Sequence, residues 1–558
     1  MAITFPLGID NFQKIRGNNN YYIDKTAFMK ELLSQNFEVN LITRPRRFGK
    51  TLTMSMLEDF LDISRDSRKN FEGLSISQEK DLCANWMNQW PTIFFSLKSV
   101  EGNDFETAYE QWKALLSDFC VSHRFLGESG KIDSLDREIF LRFLEKRGTR
   151  EETRNALFYL TRMMSAHYGK PVILMIDEYD VPLAKASDYN YYDEMLGVVR
   201  SLFNKALKSN PYLKFAVITG CLKIAKESIF TGTNNFVSDT ISSNRFEEYI
   251  GFTKNDVQKI LKDTGFENHA EEIRYWYDGY RFGRVDVYCP WDVLNHVAAL
   301  QENEQATPKS YWENTSGNDI IRKFIERKDL WYEAQINEDF ETLLAGGCIV
   351  KNVTENLTYD MLHSSADNLW SLLYLTGYLT GTEENTGNSG EITLKIPNEE
   401  IRRLFNTTVK NWFVDQVKAT DRKELFDALW SMDEEKCSEI LSDMIFDTIS
   451  YHDYKEDYYH AFVVGVLSFA GYRVKSNAEE GKGRPDIVLR DPRRKRAMVI
   501  EIKRAPTYET MEEKCHAAME QMKSKRYTEG IEMMYREVLG FGISFYDKNC
   551  QVKAKKFR

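Results

Sequence analysis

No apolar run in the chain approaches the roughly 18 residues needed to cross a bilayer, so no membrane span is expected. The start, Met1-Ala2-Ile3-Thr4-Phe5-Pro6, lacks a charged segment leading into an apolar core, and no secretory signal is read there. Cysteine is sparse and scattered: Cys83, Cys120, Cys221, Cys289, Cys348, Cys437, Cys515 and Cys550 form no C-x-x-C pair and no cluster with histidine. That spacing argues against a zinc site or a disulfide framework and suits buried thiols in a reducing cytoplasm. Positive charge is not in excess either, because the formal net charge is −11. A protein that binds nucleic acid over its whole surface is basic, so any such contact must be local. Repeats and low-complexity tracts are absent. With 558 residues the chain is too long for one core, and two to four domains are expected.

What is present is organised around Arg44-Pro45-Arg46-Arg47-Phe48-Gly49-Lys50-Thr51. Val39, Leu41 and Ile42 read as the end of a strand, and Met54, Leu57, Phe60 and Leu61 recur at helical spacing after it. Gly49-Lys50-Thr51 therefore falls where a strand turns into a helix N-terminus. Free backbone N–H groups and the positive end of the helix dipole favour a phosphate there. Lys50 supplies a point charge for the β- and γ-phosphates of ATP, and the Thr51 hydroxyl is a Mg²⁺ ligand. The usual pattern opens on glycine, but Arg44 stands at that position, and on its own a Gly-Lys-Thr helix start need hold no ligand.

A second stretch supports the first. Lys170 to Glu178 is a continuous apolar run ending in two carboxylates, the pattern of a central parallel strand buried on both faces. Asp177 at its carboxyl end is placed to hold Mg²⁺, and Glu178 to polarise the attacking water as general base. A further strand, Lys214–Gly220, ends on Thr219, where a hydroxyl can sense a γ-phosphate. Alternating strands and helices imply a parallel, doubly wound α/β sheet. The 127 residues from Lys50 to Asp177 imply a helical insertion. Tyr21 to Thr26 reads as a short strand and helix cap. Trp276-Tyr277-Asp278-Gly279-Tyr280 reads as an aromatic-glycine turn, more core than base-stacking platform. Leu372–Thr380 and Ile392–Ile396 read as a hairpin. The expected division is an ATPase domain over 1–235, a helical lid over 236–330, a connecting region over 331–445 and a last domain over 446–558.

The last domain has its own pattern. Pro485–Leu489 and Ala497–Lys503 flank an Asp-Pro turn and read as a hairpin. A turn centred on Arg493 and Arg494 places Asp486 opposite Glu501, and Lys503 on the face of Glu501. Two facing carboxylates repel unless a cation lies between them, and oxygen ligands favour Mg²⁺. Lys503 would then orient a water or stabilise charge at a phosphodiester. Glu456, one turn before Tyr459 and His460, is a candidate third metal oxygen, although a solvated helix-start carboxylate is the plainer role. Gln521 and Lys525 share a helix face. Arg493–Arg496 with Arg484, Arg490 and Arg504 read as a basic patch beside the acids, for phosphate or for solvent alone.

Together these motifs, with Tyr22-Ile23-Asp24-Lys25-Thr26 and Gly483-Arg484-Pro485-Asp486, resemble the AAA-ATPase-like proteins that carry a C-terminal PD-(D/E)XK nuclease-superfamily domain. In that family Arg-Pro-Arg-Arg-Phe-Gly-Lys-[Ser/Thr] stands in for the ordinary phosphate loop, so Arg44 is the family pattern. The resemblance implies a P-loop NTPase sheet of the ASCE/AAA-like kind with helical insertion and lid, plus a restriction-nuclease-like α/β domain. It implies ATP bound by Arg46, Arg47, Phe48, Gly49, Lys50, Thr51, Leu52 and Thr219, with Mg²⁺ at Thr51 and Asp177. It implies a nuclease set of Glu456, Asp486, Glu501 and Lys503, with Gln521 in support. The resemblance implies no particular substrate; nucleic acid is the expected partner, and a homo-oligomer is allowed, with Arg46 and Arg47 as candidates for a charge supplied in trans. The competing functions are a nucleotide-gated switch or scaffold that binds without cutting, and a stand-alone ATPase.

Overall fold

A computed structural model describes residues 3–223, 236–312, 339–340, 342–357, 365–382, 390–408, 423–448, 456–467, 473–476 and 485–558. The chain divides into two compact units, one of residues 1–314 and 348–402, the other of residues 315–347 and 403–558. The stretch expected as a connecting region, 331–445, is therefore shared between them.

In the first unit the apolar runs become one sheet. Its strands are β1 (Val39–Thr43), β2 (Thr92–Ser96), β3 (Val172–Asp177), β4 (Leu213–Gly220) and β5 (Phe236–Asp239), in the order β2-β3-β4-β1-β5 with every pairing parallel. All five residues of β1 and all six of β3 are buried, as continuous apolar strands covered on both faces must be. After β1 the chain crosses towards β2, whereas after β4 it crosses past β1 to β5. The carboxyl ends of β1 and β4 thus form a topological switch point, the usual ligand crevice of open α/β sheets. The helix Lys50–Leu61 starts there and buries Met54, Leu57, Phe60 and Leu61, the stripe its periodicity predicts.

The helical insertion is present between β2 and β3. The helix Phe105–Ser122 is capped by Asp104 and Ser134–Leu144 by Asp133, while Arg150–Arg154 has a Thr149/Glu152 capping box. Ala156–Tyr168 then ends at Gly169, which takes the left-handed conformation. Beyond β5, a three-stranded sheet of β6 (Phe252–Thr253), β7 (Tyr280–Phe282) and β8 (Val285–Tyr288) packs with helices Lys254–Thr264, Ala270–Tyr277 and Pro290–Glu302. Trp276, Tyr277 and Tyr280 are buried here, so the aromatic cluster is core.

Two local expectations fail. Tyr21 to Ile23 form no strand, because the Asp24 carboxylate takes the N–H groups of Thr26 and Ser75 and the Thr26 hydroxyl. Such side-chain bonds compete with strand pairing. The run from Leu372 is not the first arm of a hairpin. It continues the helix Ala366–Leu375, which Ser365 caps by accepting from the Asn368 N–H. Only β10 (Thr380–Gly381) remains to pair with β11 (Glu391–Lys395), which pairs on its other side with β9 (Ile349–Asn352).

The second unit holds a five-stranded mixed sheet of β12 (Arg473–Ser476), β13 (Ile487–Asp491), β14 (Arg496–Arg504), β15 (Glu537–Tyr546) and β16 (Asn549–Lys556), in chain order. The pairings are antiparallel except for β14 with β15. Alternation along β14 sets its two faces. Met498, Ile500 and Ile502 join Tyr459, Phe462, Val463, Val466 and Leu467 of the helix Glu456–Leu467 in one core. Ala497 and Val499 face Met519 and Met522 of the helix Met511–Ser524. Glu501 and Lys503 continue this second row.

Candidate functional sites

The phosphate loop leaves β1 at Thr43, and its backbone must turn sharply to start the helix. Gly49 does so at φ 94°, where a side chain would be strained. Arg47 also takes a left-handed conformation, φ 70°. Arg44 shows why the missing glycine is tolerated. Its side chain is fully buried and turned away from the loop, with Nη1 donating to the carbonyls of Thr43 (2.9 Å), Asp239 (3.1 Å) and Thr240 (2.6 Å). Nη2 reaches the carbonyl of Arg245 at 3.2 Å, and the guanidinium lies 5.2 Å from the ring centre of Phe282. Burial lowers its pKa to about 10, still cationic at neutral pH. Arg44 thus ties the loop to the chain after β5, a role for which glycine has no atoms.

The rest of the loop divides by direction. Lys50 is buried, and its ammonium donates to the carbonyls of Arg44 and Pro45, both at 2.9 Å. Arg46 is exposed, and its charge acts on Glu178. The Arg47 guanidinium is 5.6 Å from each ring centre of Trp291 and Trp312 and donates to the Tyr311 carbonyl at 2.5 Å. Phe48 packs into core against Tyr280 and Phe282. Arg47 and Phe48, expected as nucleotide contacts, therefore have their side chains engaged elsewhere and offer the loop only backbone. Leu52 is half-buried in the first turn of the helix.

Asp177 joins three elements. It is fully buried at the end of β3; Oδ2 accepts the Thr51 hydroxyl at 2.7 Å and Oδ1 accepts the Thr219 hydroxyl. The three residues that sequence alone placed on separate elements are in one constellation. Glu178 follows at φ 53°, half-buried. Burial raises its pKa and the neighbouring Asp177 charge raises it further, while Lys50 and Arg46 oppose the shift.

Asp180 carries a task that sequence reasoning missed. Its buried Oδ2 accepts the N–H groups of Cys221 (2.9 Å) and Leu222 (3.0 Å), and Tyr179 adds a hydroxyl bond to the Leu222 carbonyl at 2.7 Å. These bonds hold the turn that carries Thr219. A Cβ at Gly220 would lie 2.7 Å from Asp180 Oδ1 and from the Tyr179 ring, so only glycine admits this approach. The signal was the second acid three residues after Asp177.

In the second unit the predicted register holds. Ile487 pairs with Ile500 and Val488 with Val499, which sets Asp486 beside Glu501 just beyond the last paired residue. The Asp486 N–H lies 3.4 Å from Glu501 Oε2, and Asp486 Oδ2 accepts the Ile502 N–H at 2.7 Å. Glu501 is 1 % exposed. Lys503 Nζ donates to its Oε1 at 3.2 Å, and Gln521 Nε2, itself 3.3 Å from the Tyr527 hydroxyl, donates to the same oxygen. Burial, and then the charge of Asp486, push the Glu501 carboxyl up to about 7 against the pull of Lys503. His460 lies 3.1 Å from the Asp486 carbonyl. Glu456 begins its helix as expected, but its side chain, with Gly483 and Arg484, lies outside the described residues.

The turn residues of the basic patch are not beside the acids. Arg493, Arg494 and Lys495 form the hairpin tip, and at about 3.3 Å per residue the tip end of β14 is about 17 Å from Glu501. Arg496 is paired with Asp491 at 3.0 Å and lies over Trp430.

Both acid centres fit a hard cation by their donors, which are all oxygen: hydroxyls and a carboxylate at Thr51, Asp177 and Thr219, and two carboxylates at Asp486 and Glu501. Among the described residues no three His, Cys, Asp or Glu side chains converge on one point. No described helix is long and apolar enough to cross a membrane.

Comparison with known proteins agrees with this geometry. Residues 6–230 match the family described as predicted AAA-ATPase, and residues 454–555 match the PD-(D/E)XK nuclease superfamily. The chain is 26 % identical over 433 residues to an uncharacterized protein in the vnfD 5′ region of Azotobacter chroococcum mcd 1, covering 77 % of this chain and 74 % of that one. The chain thus joins an AAA-ATPase-like domain at residues 6–230 to a PD-(D/E)XK nuclease-superfamily domain at residues 454–555.

Proposed function

We propose that the protein binds and hydrolyses ATP with Mg²⁺, and that its last domain is a Mg²⁺-dependent phosphodiesterase acting on DNA or RNA. The observation that carries this reading is the convergence of Asp486, Lys503 and Gln521 on the buried Glu501 carboxylate, in a chain that also brings Thr51 and Thr219 onto Asp177. In the first domain, Lys50 and the backbone N–H groups around Gly49 bind the triphosphate. Thr51 and Asp177 hold the ion, and Glu178, its pKa raised, takes a proton from the attacking water. In the last domain Asp486 and Glu501 hold the ion, with Glu456 as a third donor. Lys503 is placed to stabilise charge on the phosphate, and Gln521 orients Glu501. At either site the ion's contribution is to neutralise charge developing on phosphate oxygens.

A second reading, a nucleotide-gated switch whose last domain binds nucleic acid or protein without cutting, is favoured by the net charge of −11. One experiment separates the two. Labelled DNA and RNA are incubated with the protein, Mg²⁺ and ATP. Metal-dependent cleavage that disappears in Asp486→Ala supports the phosphodiesterase. Equal background from both proteins refutes it and leaves the switch.

A further inference from the structure

The chain is acidic, but its last stretch is not. Residues 485–558 contain 17 Lys and Arg against 11 Asp and Glu. The fold gathers part of this excess at one end of the mixed sheet. Arg493, Arg494 and Lys495 are exposed at the β13–β14 turn. The Lys495 carbonyl accepts the Arg536 N–H at 2.7 Å, which puts the exposed Arg536 against that turn, and the Val538 N–H donates to the Arg558 carbonyl at 3.1 Å. The helix Met511–Ser524 has Met522 beside Gly540 and is followed at once by the exposed Lys525.

Three acids of this region are already paired: Glu537 with Lys556 at 2.9 Å, Glu529 with Arg526 at 3.2 Å, and Glu520 with Lys523. Among the described residues, the side chains of Arg493, Lys495, Lys525 and Arg536 have no carboxylate partner, while Arg494 meets Asp491 through its backbone N–H at 3.2 Å. Several like charges held together without counter-charges gain most from a partner that brings many anions at fixed spacing. Three of the five are arginines, whose planar fork matches phosphate oxygens.

We propose that this end of the sheet is an accessory surface for the sugar–phosphate backbone of a nucleic acid whose reacting bond lies at Asp486 and Glu501. The inference rests on the nuclease reading and adds a footprint to it. The separation of about 17 Å along β14 corresponds to about five base pairs at 3.4 Å each. The surface therefore engages only substrates that extend at least that far on one side of the reacting bond. It contributes affinity and positioning without base readout.

The test uses the full-length chain with Arg493→Glu, Lys495→Glu and Arg536→Glu combined, and a second triple variant with glutamine at the same positions. Binding is measured in the Asp486→Ala background on DNA and RNA duplexes, and cleavage in the otherwise wild-type chain. The glutamine triple is expected to keep the wild-type Tm and to lower the slope of log K against log salt by about 3 on long duplexes. The glutamate triple is expected to weaken long-duplex binding at least about tenfold. Neither is expected to change binding or cleavage of duplexes ending within about five base pairs of the cut. An unchanged salt slope in the glutamine triple overturns the inference, as does an equal loss on short and long duplexes. A loss confined to phosphatidylserine vesicles overturns it too and assigns the patch to a membrane, where the exposed Met533 and Met534 would join it. The nuclease reading fails separately, when Asp486→Ala cleaves as the wild type does.

Discussion

The two acid centres of this chain handle buried negative charge in opposite ways. Asp177 has both oxygens taken by neutral donors, the hydroxyls of Thr51 and Thr219, while the loop lysine turns to backbone carbonyls and the Glu178 carboxylate lies next in the chain. Glu501 is surrounded by charge, with a carboxylate on one side and an ammonium on the other, and its pKa rises to about 7. A carboxylate satisfied by hydroxyls is a fixed part of the sheet's end. A carboxylate facing another carboxylate is incomplete until a cation arrives. On the proposed function, the first centre positions a nucleotide and the second recruits a cation.

That contrast can be broken by mutation. The largest effect is expected from Asp486→Ala, which should reduce metal-dependent cleavage to background while leaving ATP binding unchanged; cleavage assays and nucleotide titration check both. Lys50→Ala should do the reverse, with ATP affinity falling about 10- to 150-fold for the loss of about 1.5–3 kcal/mol of charge-assisted bonding, measured by titration calorimetry. Arg44→Gly, which restores the common glycine, should destabilise the first unit by about 3 kcal/mol or more, because four carbonyls lose their donor and a cavity opens. Denaturant unfolding measures this; a glycine variant of unchanged stability would show that the buried guanidinium holds nothing.

The pH effect is smaller and carries a sign. Because the Glu501 pKa in the folded chain, about 7, lies above its ordinary value of 4.5, the native state binds this proton more tightly than the unfolded one. Its contribution to stability is full below pH 4.5 and declines as pH rises towards 7. Tm should therefore fall more steeply between pH 5 and 7.5 in the wild type than in Glu501→Gln, and Mg²⁺ should recover the difference at the higher pH. Comparing the two proteins cancels the slope from Glu400, whose buried carboxyl beside Asp292 is pushed up to about 10. Equal slopes with and without Glu501 would mean that its carboxylate is already balanced.

How much of this was legible in the sequence depended on whether the signal was local. Apolar runs gave β1, β3 and β4 with their ends, since a strand buried on both faces has to be continuous. The hairpin register follows from counting about a turn, so the sequence alone pairs Asp486 with Glu501. A common site for Thr51, Asp177 and Thr219 is expected from their places at strand ends, but the hydrogen bonds that join them depend on the strand order, which pattern alone does not contain. The tie made by Arg44 is not legible in its motif, because three of the four carbonyls it serves lie about 200 residues away. The strand expected at Tyr21–Ile23 was lost to the Asp24 carboxylate, a competition invisible to propensity. The basic residues of the hairpin were assigned to the acids by nearness in sequence, although extended strands place them at the sheet's far end.

The most direct test is Mn²⁺ binding to the full chain, followed by electron paramagnetic resonance with and without ATP. The account predicts one population of bound ion that needs ATP and disappears in Lys50→Ala, and another that persists without ATP and disappears in Glu501→Gln. Loss of both populations in a single variant, or of neither, would contradict two separate centres.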